Sequence, residues 1–318
     1  MAPPVVRAHA RIGGAGLPLL LGEGWGEGSH VLQLIVYGLI SGSILALGAI
    51  GLTLIYGILN FANFAHGDLM ALGAYLALFF KVSLALPMWL AFVLAMLCTA
   101  VLGVGLDRIW FRPLRQRRAR AAIMAISSLG LALILQNLIR MLWGPQVQYY
   151  SRTIHFPFTV PVLQVRLNTQ QVLIFAIAVG LVILVSLFLQ RTKLGKAMRA
   201  TSDNFNLALV SGIDTERVVL WTWLLGAALA AAGGTLLGMS VRLQPIMGWD
   251  LLLPIFAATI LGGIGSPYGA MAGALIIGLA EELSTPFIPT EYKTAVSLVL
   301  LVLVLLVRPR GLFGGWQQ

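Results

Sequence analysis

Side chains able to do chemistry are few in this chain and stand far apart. The stretch "NFAHGDLMALGAY", residues 63–75, holds the densest group: Asn63, His66 and Asp68, with Gly67 between the last two. Histidine and carboxylate are zinc-ligand types, but His9, His30, His66 and His155 are widely separated and no His/Glu pair has zinc spacing. "LGGIGSPYG", residues 261–269, offers Gly263-x-Gly265 with Glu281 downstream, part of a dinucleotide fingerprint. That fingerprint works only at a strand–turn–helix junction, which a charge-free membrane segment does not provide. "KLGKAM" pairs Gly195 with Lys196, yet no Ser or Thr follows and position 190 is Gln, so it is not a phosphate loop. Cys98 is the single cysteine, which excludes an internal disulfide and a thiolate metal cluster. The expectation is a chain with no catalytic residue, no metal and no cofactor of its own.

The elements around these residues are apolar. Of 318 residues 59% are hydrophobic and 10% charged, and the mean hydropathy is +0.92. Soluble domains carry about 25% charged residues, so most of this surface faces lipid. Charge-free runs occupy 31–59, 69–80, 82–106, 121–139, 167–190, 218–241, 251–280 and 294–307. Runs of about 20 apolar residues mark helices rather than barrel strands. The fold class expected is an all-α polytopic membrane protein with about eight membrane segments, two of them broken or re-entrant. The runs 82–106, 121–139, 167–190 and 218–241 each span once, and the short run 294–307 recruits residues around Phe287 to Lys293.

The net charge of +10 is clustered rather than diffuse. Arg108, Arg112, Arg115, Arg117, Arg118 and Arg120 fall in one loop, and Arg191, Lys193, Lys196 and Arg199 in another. Arg308 and Arg310 follow the last apolar run. Basic residues beside spans mark cytoplasmic loops next to anionic lipid rather than a nucleic-acid surface. Loops 107–120 and 191–217 are therefore inside, 144–166 outside, and the C-terminus cytoplasmic. Run 251–280 must then begin and end outside. It divides at "LGGIGSPYG" into arms of about eleven residues, roughly 16 Å each, meeting at half depth. Residues 1–30 are Gly-, Ala- and Pro-rich and read as a disordered extension, and 314–318 as a tail.

The interruption at 60–68 has the same character. Irregular backbone at membrane depth is tolerated only inside protein or beside a wet cavity, and interrupted apolar segments in transporters point to the pathway. A charge at the bilayer centre costs about 2.5–3.5 kcal/mol, so Asp68 should cap a helix, be paired, or sit near water. Asn63 and Asp68 are N-cap types and Gly67 suits a left-handed turn. Asn60, Asn63, His66, Asp68, Gly262, Gly263, Gly265 and Ser266 are the candidates for translocation path or helix break. Capping and solute contact both stay open for them. GxxxG pairs at Gly38/Gly42, Gly234/Gly238 and Gly269/Gly273 imply close helix packing, and Gln136 and Asn137 bonds between helices.

In "RTKLGKAMRATSDNFNLALVSGIDTERVV", Thr201, Ser202 and Asp203 are cap types before Phe205, Ala208 and Leu209 at helical spacing. Gly212 terminates this short helix and Asp214 caps the next. Its apolar residues must pack on the chain's own helices or dock on a partner.

"RATSDNFNLALVSGIDTERV" resembles the cytoplasmic coupling segment of permeases of branched-chain amino acid ABC importers. "GLTLIYGILNFANFAHGDLMALGAYLAL", "FRPLRQRRARAAIMAISSLGLALILQN" and "LGGIGSPYGAMAGALIIGLAEEL" resemble further motifs of that family, LivH-type rather than LivM-type, over residues 31–313. The resemblance implies a single permease domain in the bacterial inner membrane, paired with a second, LivM-type permease. Two cytoplasmic ATP-binding subunits would supply ATP and Mg chemistry, and a periplasmic binding protein would deliver a leucine, isoleucine or valine; related permeases carry other amino acids, amides or urea. Arg199, Ala200, Asp203, Phe205, Ala208, Leu209, Gly212 and Ile213 would form the coupling surface. A secondary transporter or passive channel is the rival class. It would need intramembrane carboxylates or a polar filter, and Asp68, Glu281 and Glu282 all sit at breaks or ends.

Overall fold

A computed structural model describes residues 27–151, 158–160, 165–308 and 311–313. The extension before residue 27 and the tail 314–318 lie outside the described residues. The chain is helical nearly throughout. Helix α1 runs Glu27–Leu59, α2 His66–Leu78, α3 Met88–Leu106, α4 Arg112–Gln116 and α5 Ala121–Trp143. Two short antiparallel strands follow, β1 Phe158–Val160 and β2 Val165–Leu167. Next come α6 Thr169–Arg191, α7 Lys193–Asp203, α8 Phe205–Val210 and α9 Thr215–Ser240. The last are α10 Met247–Gly262, α11 Pro267–Leu283 and α12 Lys293–Val307. Among the described residues six helical stretches are long and apolar enough to cross a membrane: those of α1, α3, α5, α6, α9 and α12. The last reaches 18 residues by recruiting the 3-10 turn Thr290–Tyr292.

Burial sorts these helices into centre and rim. The apolar window of α1 is 89% buried and that of α9 72%, against 6% for α12. The centre is α1 and α9 with α2, α10 and α11 packed on them. Without hydrophobic drive between helices in lipid, van der Waals contact between close backbones supplies the attraction. Gly38 and Gly42 supply it for α1: a Cβ at either would lie 2.8–3.0 Å from backbone of α11 at Leu279 and Leu275. The rim helices α3, α5, α6 and α12 turn Val101, Met141, Leu184 and Leu306 outward. Asn137 is also exposed and bonds Leu133 O within its own helix, 2.8 Å, which corrects the expected bond between helices.

The molecule has two ends. At one lie the basic residues of α4 and α7. The basic stretch after α3 is not a free loop there: it continues as a π turn, Asp107–Phe111, then α4. Arg115 grips Asp107 through two bonds of 2.6 and 3.0 Å, and Phe111 is fully buried between Phe61 and Trp223. At the opposite end Gln33 exchanges two bonds with the Arg166 backbone, and Gln148 bridges Leu243. Tyr150 donates to Ala74 O, 2.8 Å, and its burial pushes the phenol well above its ordinary range. Helices α1, α3 and α6 therefore run toward the basic end and α5 and α9 away from it.

Candidate functional site

The break after α1 is a re-entry into the core. Asn60, at φ +53°, closes α1 in the left-handed region. The chain then turns back, held by Phe64 N donating to Ser128 Oγ, 2.9 Å, and by Asn63 Oδ1 accepting from Ala65 N, 3.2 Å. Helix α2 starts at His66, whose Nε2 lies 2.9 Å from Gly48 O. Gly48 lies eleven residues before the end of α1, so α2 begins roughly 16 Å back along it. Asn63, His66 and Asp68 are all buried, at 0%, 0% and 2% exposure.

Their roles differ from expectation. The N-cap of α2 is Ala65 and no side chain caps it. Asp68 sits inside the first turn, where the positive end of the helix favours a carboxylate. Asn63 closes a local turn instead of capping. Gly67 is helical, and the left-handed residue is Asn60. What Gly67 provides is proximity: a Cβ there would lie 2.1 Å from Gly248 O, and one at Gly248 2.5 Å from Gly67 O. This reciprocal contact of α2 with the start of α10 fixes where α2 enters. It also keeps Asp68 away from water, contrary to one expectation. Asn63 Nδ2, His66 Nδ1 and Asp68 Oδ1 have no hydrogen-bond partner among the described residues.

The second break, 263–266, lies at the basic end and not at half depth. Gly263 and Gly265 take φ of +103° and +88°, and Ser266 caps α11 by accepting from Gly269 N, 3.1 Å. Gly265 N donates to Thr53 Oγ1, 3.2 Å, near the end of α1, and Gly57 separates Gly265 from Ser202 of α7. The arms are 16 and 17 residues rather than eleven, because helix continues through Asp250 at one end and Glu281 and Glu282 at the other. Gly262 and Gly269 bring the two arms into backbone contact. After α12 the chain returns to this break: Leu312 N donates to Leu261 O, 2.8 Å, and Phe313 N to Gly262 O, 3.2 Å. The two breaks are joined through α1 and through Phe64, whose ring lies 5.4 Å from that of Phe256.

The segment 191–214 is a helix pair. Thr192 caps α7 and Asn204 caps α8, its Oδ1 accepting from Leu207 N at 2.9 Å. Thr201, Ser202 and Asp203 end α7 and are not the cap of α8; Thr201 is buried and donates to Ala197 O, 2.8 Å. Gly212, at φ +83°, terminates α8, and Asp214 caps α9 by accepting from Arg217 N, 3.0 Å. Met198 and Ala208 point inward, while Arg199, Asp203 and Gly212 are exposed and Ala200 and Ile213 half-buried. Phe205 and Leu209 are exposed. So are Leu207 and Val210, the latter at 86%, and neither stood out in the sequence. A six-residue helix has too few turns for periodicity to mark one face; the unbroken "LALV" was the available signal. Among the described residues no three His, Cys, Asp or Glu side chains lie close enough to hold a metal.

Helical nearly throughout its described residues and apolar at its rim, with one helix break buried in its core and a second at the basic end, the chain is a polytopic membrane protein. The family model described as branched-chain amino acid transport system / permease component matches residues 34–305, and the chain belongs to that family. It is 35% identical over 299 residues to the LivH permease protein of the high-affinity branched-chain amino acid transport system of Escherichia coli K12, covering 90% of this chain and 96% of that one. It is also 35% identical over 297 residues to BraD of Pseudomonas aeruginosa, with the same coverage. A weaker likeness, 25% over 288 residues, extends to LivM of Salmonella typhimurium, covering 83% and 66% of the two chains. No solved structure matches it.

Proposed function

We propose that this chain is the transmembrane permease subunit of an ATP-driven importer in the bacterial inner membrane. It carries branched-chain or other small neutral amino acids by alternating access, as residues 31–313 acting as one domain. The observation that carries this reading is the surface of α8, where Phe205, Leu207, Leu209 and Val210 stand exposed on a capped helix at the basic end. Four apolar side chains outside the apolar belt need a partner to cover them. An ATP-binding subunit is that partner. Arg199, Ala200, Asp203, Ala208, Gly212 and Ile213 hold the surface in shape and complete it.

On positive-inside grounds the basic end faces the cytoplasm, which puts the C-terminal segment inside as well. The six long helices then cross once each. Helix α2 enters from half depth, and α10 and α11 form a hairpin open to the outside. Supporting this is the consistent direction of α1, α3, α5, α6 and α9 between the two ends. A second permease of LivM type completes the pore, two ATP-binding subunits use ATP and Mg, and a periplasmic binding protein delivers the solute. This chain holds no cofactor. Asn60, Asn63, His66, Asp68, Gly262, Gly263, Gly265 and Ser266 brace the path as joints, since the first break is buried inside this chain. ATP binding shifts the population of outward and inward states through its differential grip on α7 and α8.

The test is co-purification with the ATP-binding subunits of its own genome. We expect stable capture by the native chain, abolished by Leu207→Asp with Val210→Asp. A well-folded native chain that captures no ATP-binding subunit would overturn the reading in favour of a channel or secondary transporter.

A further inference from the structure

Helix α5 packs on the rest of the chain through one face, formed by Met124, Ser128, Leu131, Leu135 and Ile139. That face is tied to the first break, where Ser128 Oγ accepts from Phe64 N at 2.9 Å. The opposite face is open. Ile126 is 70% exposed and Met141 84%, and a Cβ at Gly130 would meet nothing within 4 Å. Gly130 and Asn137 stand two turns apart on this face. Asn137 is exposed, and Gln136 beside it is half-buried.

These amides stand at hydrocarbon depth. Helix α5 has 23 residues, so it is about 34 Å long against a hydrocarbon core of about 30 Å. Asn137 lies six residues before its outer end, roughly 9 Å in, and Gly130 lies near its middle. Asn137 Nδ2 donates to Leu133 O, 2.8 Å, and its Oδ1 accepts nothing among the described residues. The Gln136 side chain forms no hydrogen bond among them. Lipid offers such groups no partner, so a polar side chain at this depth belongs against protein or water.

The other rim helices differ. Between their ends α3, α6 and α12 expose apolar side chains, among them Leu97, Leu184 and Val302. Gly105 and Gly180 are as open as Gly130, so openness alone marks no surface; the amides single out α5. The path cannot run through the first break, because Asn63, His66 and Asp68 are buried inside this chain. A path enclosed between two permeases instead needs a wettable face at membrane depth, and α5 carries one.

We propose that the open face of α5, centred on Gly130 and Asn137, is this chain's wall of the translocation path and faces the second permease across water. Gly130 keeps the middle of the wall free of side chain. Asn137 and Gln136 offer hydrogen bonds in place of those a solute leaves behind in water. The proposal rests on the permease reading above.

The experiment uses the assembled complex of this chain with its partner subunits, reconstituted in phospholipid vesicles and driven by ATP. Cys98, the single cysteine, is replaced by Ser. One cysteine is then introduced at a time: Gly130→Cys, Asn137→Cys, or Leu184→Cys on the outward face of α6. During turnover a charged, membrane-impermeant methanethiosulfonate is present on both sides of the vesicles. It reacts with the thiolate, which hydrocarbon does not support, so Gly130→Cys and Asn137→Cys should be modified at least about tenfold faster than Leu184→Cys. Modification of Gly130→Cys should abolish uptake. Rates at both positions as slow as that of Leu184→Cys, in a complex whose native form takes up leucine with ATP, overturn the wall and leave the permease reading standing. Fast modification of Gly130→Cys with uptake unimpaired overturns it as well. A native complex without ATP-driven uptake removes both.

Discussion

His66 Nε2 lies 2.9 Å from the carbonyl oxygen of Gly48, across the crossing of α2 and α1. A carbonyl only accepts, so Nε2 is the donor of this bond, and Nδ1 has no partner among the described residues. The side chain acts as a strut between the start of α2 and the middle of α1. Replacing it by Ala removes the strut and its volume at a fully buried site. We expect His66→Ala to lower the stability of the purified protein by about 2–4 kcal/mol, measured by denaturant unfolding in mild detergent. Unchanged stability would show that the re-entry is held by the glycine contacts alone.

Those contacts have their own signature. Gly67→Ala places a methyl 2.1 Å from Gly248 O, a backbone atom that cannot swing aside. Helices α2 and α10 would have to separate, and we expect a loss of about 3 kcal/mol or more. Gly130→Ala is the control within α5, where nothing lies within 4 Å; its effect should stay within about 1 kcal/mol. Paired thermal unfolding curves distinguish the two.

Asp68 is buried at 2% exposure with one carboxylate oxygen unpartnered among the described residues. It caps nothing, so Asn at this position loses no capping bond. Asp68→Asn removes an expensive buried charge, and we expect the variant to be as stable as the native protein or more so. A lower unfolding midpoint would mean that the charge itself is required at the start of α2.

Asn204 is the side-chain N-cap of α8. Asn204→Ala should cost about 1 kcal/mol locally, too little to unfold the protein and enough to fray a six-residue helix. Hydrogen exchange should speed up at Leu207 to Val210 and remain native in α7 and α9. Protection unchanged at α8 would show that packing of Ala208 holds it without the cap.

The spans α3, α5, α6 and α9 were legible as charge-free runs, because lipid leaves a helix little else to be than apolar. Both breaks were legible too, from Asn60 to Asp68 and from Gly262 to Ser266. Depth was not. Asp250 and Glu281 ended the runs and so shortened α10 and α11, yet both remain helical. The misread caps have a related cause: Ala65 starts α2 because the Gly67–Gly248 contact sets the geometry, and a contact between residues so distant in sequence leaves no local mark. Leu207 and Val210 escaped notice because a short helix has no resolvable apolar face.

The pairing of Leu312 and Phe313 with the last carbonyls of α10 has a bearing on how the protein is made. Gly263 to Ser266 turn the chain back at once, so Leu261 and Gly262 leave their carbonyls open when the hairpin first forms. The groups that satisfy them are translated some fifty residues later, after α12. During synthesis the α10–α11 hairpin must therefore persist with an unsealed tip beside α7. Leu312 and Phe313 then act as a latch that sets this end of the permease only after α12 has been made.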